Sequence, residues 1–165
     1  MTVLAAADFW QFSLAFYAQS GVAPACLALQ DRHGLDVNLA LYCCWLGLSG
    51  RGRIDASRLI AADTAIASWR REIIEPLRAV HRGLRQAAEV DPDSKALHER
   101  VKALELEAEC ICQTRLAALA PPAVASNAAR CLDDACASLG TYLGSASADG
   151  APLFGALKTF AGRAA

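Results

Sequence analysis

Residues 37–49, VNLALYCCWLGLS, constrain this chain more than any other segment. Read as a helix, the stretch has no polar face to turn to water, so it must be surrounded by other elements of the same fold. The candidates for its core contacts are Val37, Leu41, Cys44, Trp45 and Leu48. A chain of 165 residues can supply that cover, because at this length about 70% of the unfolded surface is removed from water.

The cover is expected to be helical. The hydrophobic fraction of 55% comes largely from alanine, leucine and cysteine, and β-branched and aromatic residues thin out beyond residue 80. A first helix is expected from an Asp8 cap through FWQFSLAFYAQS to Gly21, and a second from about Ala23 to His33, stopped by Gly34. GRGR at 50–53 reads as the clearest flexible connection. A fourth helix from Asp55 carries Leu59, Ile60 and Ile66. A fifth, over 69–89, carries Ile73, Ile74, Leu77, Val80, Leu84 and Ala88 at spacings of three and four, with Pro76 bending it or marking its true start. Asp91 caps and Pro92 opens a sixth helix to about 119 that keeps Leu97, Val101, Leu104, Ala108 and Ile111 in a 4-3-4-3 pattern, so that helices five and six form an antiparallel hairpin. APPA at 120–123 ends it, a helix from about 123 to 144 follows, and a short one lies near 152–161. The segment from Gly140 onward is the least determined. The expectation is an all-α, compact bundle of seven or eight helices, folded as one domain over 1–165.

Charge and cysteine usage exclude several roles. Sixteen basic and 17 acidic residues give a net charge of -1, so no global field draws the chain to nucleic acid or an anionic membrane. The N-terminus has no basic region before Asp8, and the uncharged run 9–30 is interrupted by Gln11, Gln19, Gly21 and Pro24, so a buried helix pair is expected rather than a membrane span. The seven cysteines contain no C-x-x-C and read as reduced, mostly buried small apolar residues of a cytoplasmic protein.

Catalytic patterns are missing. His33, His81 and His98 belong to no H-E-x-x-H or E-x-x-H motif, no G-x-S-x-G elbow occurs, and GRGR lacks the spacing of a phosphate loop. No metal and no cofactor is expected. Glu105, Glu109 and Cys112 share a helix face and read as a solvated flank of the hairpin. Arg71, Arg78, Arg82 and Arg85 form a basic strip that invites nucleic acid, but Glu75 and Glu89 share its sector and no aromatic residue interleaves with it. Pairing with the acidic sixth helix is the more ordinary account.

The polar stretch LQDRHGLDVN at 29–38 lies between the apolar second and third helices. Gly34 can close one helix, and Asp36 can open the next by accepting from the amide of Asn38 or Leu39. Arg32 and His33 suit the negative end of the second helix. Gln30 and Asp31 are left over, and a partly buried Asp31 would seek Arg70 or Arg78. The candidate polar site is therefore Gln30, Asp31, His33, Asp36, Asn38, Trp69, Arg70 and Arg78.

Phe9-Trp10-x-Phe12 with Tyr17, then CLALQDRHGLDVNLALYCCW at 26–45, then Trp69-Arg70 with Pro76-Leu77-Arg78 and Arg82, resemble the pattern of a small proteobacterial family, a domain of unknown function. The resemblance covers about 8–90 and leaves about 91–165 as a variable C-terminal part. It implies a bacterial cytoplasmic protein and carries no activity, cofactor or catalytic residue.

Three functions are open to the sequence. The first is a non-enzymatic protein-interaction or regulatory protein with a protein partner. The second is a helical enzyme or small-molecule binder with a polar site around Asp31 and Arg78. The third is a weak nucleic-acid binder through Arg71, Arg78, Arg82 and Arg85.

Overall fold

Every residue from Asn38 to Leu48 is buried, so the apolar third helix is surrounded on all sides. The structure, a computed structural model, describes residues 9–163. Its helices are α1 (Phe9–Tyr17), α2 (Val22–His33), α3 (Val37–Leu48), α4 (Ala56–Trp69), α5 (Glu75–Val90), α6 (Pro92–Ala118), α7 (Ala128–Leu143) and α8 (Ala151–Arg163). A π-helical turn, Arg70–Ile74, joins α4 to α5, and a 3-10 turn, Gly144–Ala148, precedes α8. The fold is an all-α bundle. The expected Asp8 cap lies outside the described residues.

Aromatic packing sets α1 on α3. Phe9 stacks on Trp45 with ring centroids 5.0 Å apart and tilts against Tyr42 at 5.6 Å. On another side α7 crosses α3 in backbone contact. A Cβ at Gly47 would lie 2.1 Å from the Ala135 nitrogen, so only glycine permits this approach. Among the expected core residues Leu41, Cys44, Trp45 and Leu48 are buried, whereas Val37 is half-buried.

Four points of the sequence reading change in the structure. GRGR is not a free connection: Val124 N–H donates to Gly50 O at 2.9 Å, and Arg51 Nη1 donates to Pro121 O at 2.8 Å while its guanidinium covers the Trp45 ring. The same contacts hold 121–127 out of a helix, so α7 starts at Ala128, capped by Asn127, rather than near 123. The segment beyond Gly140 is anchored, since Leu143, Ala146, Leu153 and Leu157 are buried and Phe160 meets Phe12 and Phe16 edge-on. Of the apolar residues carried by the fourth helix, Ile60 is 67% exposed, whereas Ile66 is fully buried.

The fourth and fifth helices run on through the π turn. Pro76 cannot donate to the carbonyl four residues earlier, and its ring would strike that carbonyl in a regular helix. The wider turn makes room: Glu75 N–H donates to Arg70 O, five residues back. Helices α5 and α6 then form the expected antiparallel hairpin, with Asp91 accepting from Ser94 N–H at 2.7 Å to open α6.

Two glycines test this packing in opposite directions. Gly47→Ala is expected to lose at least about 1–3 kcal/mol in urea unfolding, by forcing α3 from α7. Gly83→Ala, where a Cβ meets nothing within 4 Å, is expected to gain about 0.5–1 kcal/mol from helix propensity alone.

Candidate functional site

Site construction begins at the α2–α3 joint. Gly34, at φ 64°, ends α2, and its N–H bonds Gln30 O at 3.0 Å. Asp36 caps α3, its Oδ1 accepting from Asn38 N–H at 2.7 Å and Leu39 N–H at 3.2 Å. Its Oδ2 receives Arg70 at 3.3 Å, and Arg70 also reaches Asp63 at 2.7 Å. Burial opposes the charge on Arg70, but Asp63 and Asp36 more than offset this and raise its pKa. The Tyr142 hydroxyl closes the joint from α7, accepting from Asp36 N–H at 2.7 Å and donating to Asp36 O at 3.1 Å. Burial pushes its phenol well above the usual tyrosine range.

In the first turn of α3, the buried Asn38 starts a second set of contacts. Its amide donates to Glu109 Oε2, and its Oδ1 accepts from Gln113 Nε2 at 2.9 Å. Glu109 Oε1 accepts from Arg78 Nη2 at 2.6 Å, and Arg78 Nε lies 3.5 Å from Glu105. Glu105 in turn bonds His81 Nδ1 at 2.6 Å, and the His81 ring packs 4.6 Å from that of His98. Burial pushes the Glu109 carboxyl above the usual carboxylate range, against the opposing pull of Asn38 and Arg78. This ladder ties α3 to the α5–α6 hairpin.

Between the joint and α5 an open cleft encloses about 610 Å³. Gln30 and Asp31 line it from α2, Asp36 and Tyr142 from the joint, and Asp63 from α4. Arg70 and Glu75, at the two ends of the π turn, line it together with Arg78 and Arg82. A π turn inside a helix is often found at functional sites, and here it sets two of the charged walls. Arg70 and Arg78 are each held by two carboxylates. Asp31, Glu75 and Arg82 have no hydrogen-bond or ion-pair partner among the described residues.

Five of the eight sequence candidates, Gln30, Asp31, Asp36, Arg70 and Arg78, meet in this cleft. Asn38 is buried and faces Glu109 instead. His33 and Trp69 point elsewhere: His33 Nε2 bonds Asp149 at 2.7 Å, and Trp69 donates to Ala108 O beneath the Arg115 guanidinium. Arg32 joins His33 on Asp149 at 3.1 Å, and the His33 bond chiefly holds that carboxyl below the usual carboxylate range.

Two expectations fail. Asp31 is exposed and pairs with neither Arg70 nor Arg78, because both guanidinium groups are taken by Asp36 and Asp63 or by Glu105 and Glu109. Glu105, Glu109 and Cys112 are not a solvated flank: the two carboxylates are 18% and 17% exposed and Cys112 is fully buried. The basic strip is broken for the same reason, since Arg78 turns inward and Arg71 bonds Glu72 at 2.8 Å.

Asp63, Tyr142 and Asp149 were missed by the sequence reading, and Glu109 was visible only as part of a supposed solvated flank. Glu75 and Arg82 were visible only as part of the strip. Among the described residues no three His, Cys, Asp or Glu side chains converge as a metal site. All seven cysteines are free thiols, and burial pushes those of Cys26, Cys43 and Cys112 up to about 12. No single described helix is long and apolar enough to cross a membrane; α1 and α2 reach that length only together, bent by 100°.

The model of the family DUF2390, described as a protein of unknown function, matches residues 8–116. The chain belongs to this family. The DUF2390 match runs past the 8–90 resemblance to include most of α6, and with it Glu105, Glu109 and Gln113. It takes in every cleft residue except Tyr142. No curated protein and no solved structure matches the chain.

Removing Arg78 leaves Glu105 and Glu109 buried without their cation. Arg78→Met is expected to cost about 3 kcal/mol at pH 7 in denaturant unfolding. A carboxyl whose folded pKa is raised destabilises the fold when ionised, and this penalty disappears as pH falls below its unfolded value. The deficit of the variant against the parent should therefore shrink steadily from pH 7 to about pH 4, near the ordinary carboxylate range.

Proposed function

We propose that this chain is a non-enzymatic binding domain with a regulatory role, and that it takes a small zwitterionic molecule into the cleft beside the π turn. The observation that carries the reading is the division of the cleft's charges. Arg70 and Arg78 are neutralised by fixed carboxylates and form a rigid floor. Asp31 and Glu75 on the one hand and Arg82 on the other face the same space without partners. A ligand with an ammonium group for the two acids and a carboxylate for the arginine matches both signs at once, with Gln30 as a neutral hydrogen-bonding group.

Binding is favoured over catalysis because the titratable groups deepest in the cleft are committed to one another. Asp36 is spent on the α3 cap and Arg70, and the Tyr142 hydroxyl on the Asp36 backbone. Neither is disposed toward a substrate as a general acid or base would be. The seven free thiols fit the reducing cytoplasm, which completes the proposed setting.

The test is thermal unfolding with glutamine, lysine, spermidine and succinate as separate probes. A bound zwitterion at about 100 times its Kd adds about 2.7 kcal/mol, a rise in Tm of roughly 5–10 °C for a chain of this size. Glutamine and lysine are expected to raise Tm, with Asp31→Asn and Arg82→Gln each removing most of the shift. A shift from spermidine or succinate alone, or one that survives both substitutions, contradicts the reading.

A further inference from the structure

The outer face of α6 carries a second, unrelated feature. Leu97, Leu104 and Ile111 are 46%, 52% and 38% exposed and recur every seven residues. At 100° per residue they fall within about 40° of one another and span about 21 Å, whereas Glu109 and Gln113, which meet Asn38, lie about 120° or more around the helix. Ala96, Ala103 and Cys110 run beside them at the same spacing, and Ala96 and Ala103 are exposed. A seven-residue repeat of large beside small residues is the seam along which a partner helix packs in a gently supercoiled pair. α5 leaves this file about half exposed, its ion pairs to α6 falling on the side that carries Glu105 and Glu109.

Between these two files stand Arg100 and Glu107, again seven residues apart, both exposed and without an ion-pair partner among the described residues. They identify the occupant. In a parallel pair of α6 helices Arg100 would face Arg100. In an antiparallel pair with a twofold axis between residues 103 and 104, Arg100 of each copy faces Glu107 of the other, twice. Leu104 then packs at the axis, and the Leu97 end of one copy meets the Ile111 end of its partner. A surface self-complementary under a twofold is what an isologous dimer requires.

We infer that the outer face of α6 pairs with a second copy of this chain, antiparallel, forming a twofold dimer through the Leu97–Leu104–Ile111 seam and two Arg100–Glu107 ion pairs. The dimer joins two hairpins into a four-helix arrangement and leaves both clefts open, since the seam lies away from the helix faces that line them. It does not depend on what the cleft binds.

Sedimentation equilibrium of the full chain from about 1 µM to about 500 µM, a range spanning weak to moderate association, provides the test. The parent is expected to pass from monomer to dimer within it. Arg100→Glu and Glu107→Arg each place like charges opposite one another and should weaken the dimer at least tenfold, while leaving Tm at low concentration unchanged. An equimolar mixture of the two variants should dimerise again, as should the chain carrying both substitutions. Leu104→Glu should be monomeric throughout. A parent that stays monomeric over the whole range overturns the inference. So does a dimer that tolerates Arg100→Glu and Leu104→Glu, or single variants that the mixture does not rescue.

Discussion

A helix with no polar face can be buried completely only if the polar side chains it carries are satisfied where they lie. The most demanding of these in α3 is the amide of Asn38, just inside the N-terminus and 4% exposed. Leaving a buried amide unpaired costs about 1–3 kcal/mol, so the neighbouring helix must supply partners. Glu109 and Gln113 of α6 do so. That brings a carboxylate into the interior, where it requires a cation, and Arg78 of α5 answers it. The position of the hairpin against α3 follows from this chain of requirements as much as from apolar contact.

The cleft is a by-product of the same arrangement. Holding α5 through Arg78 brings the π turn opposite the α2–α3 joint, where Arg70 closes on Asp36. Tyr142 fixes the joint from the third direction. The charges left facing the open space are those that neither interlock needs. Fixed walls with a few unpaired groups of both signs are the preconditions for selective recognition of a small polar molecule.

Local chemistry was legible in the sequence and long-range pairing was not. Gly34 as a helix stop, Asp36 and Asp91 as caps and α3 as the central helix all follow from spacing and residue type within a few positions. The cleft was half legible, because LQDRHGLDVN and the Trp69–Arg78 region looked unusual and five of the eight candidates drawn from them do meet. The partners of Asp31 were misread because four carboxylates competed better for the same two arginines, and nothing in the sequence ranks Glu109 above Asp31. Glu109 itself read as solvated, since a carboxylate on a helix flank looks the same whether water or Asn38 lies beyond it. Tyr142 and Asp149 act on the joint and on the end of α2 from more than 100 residues away, a distance no local pattern spans.

The central claim is that Asn38, Glu109 and Arg78 act as one unit holding α3 to the hairpin. A double-mutant cycle between Asn38→Ala and Arg78→Met tests it directly, because the two side chains share Glu109 as a hydrogen-bond partner. A coupling of about 1 kcal/mol or more in urea unfolding at pH 7 is expected for members of one buried network. Additivity within about 0.3–0.5 kcal/mol would contradict it and show the hairpin to be held by apolar packing alone.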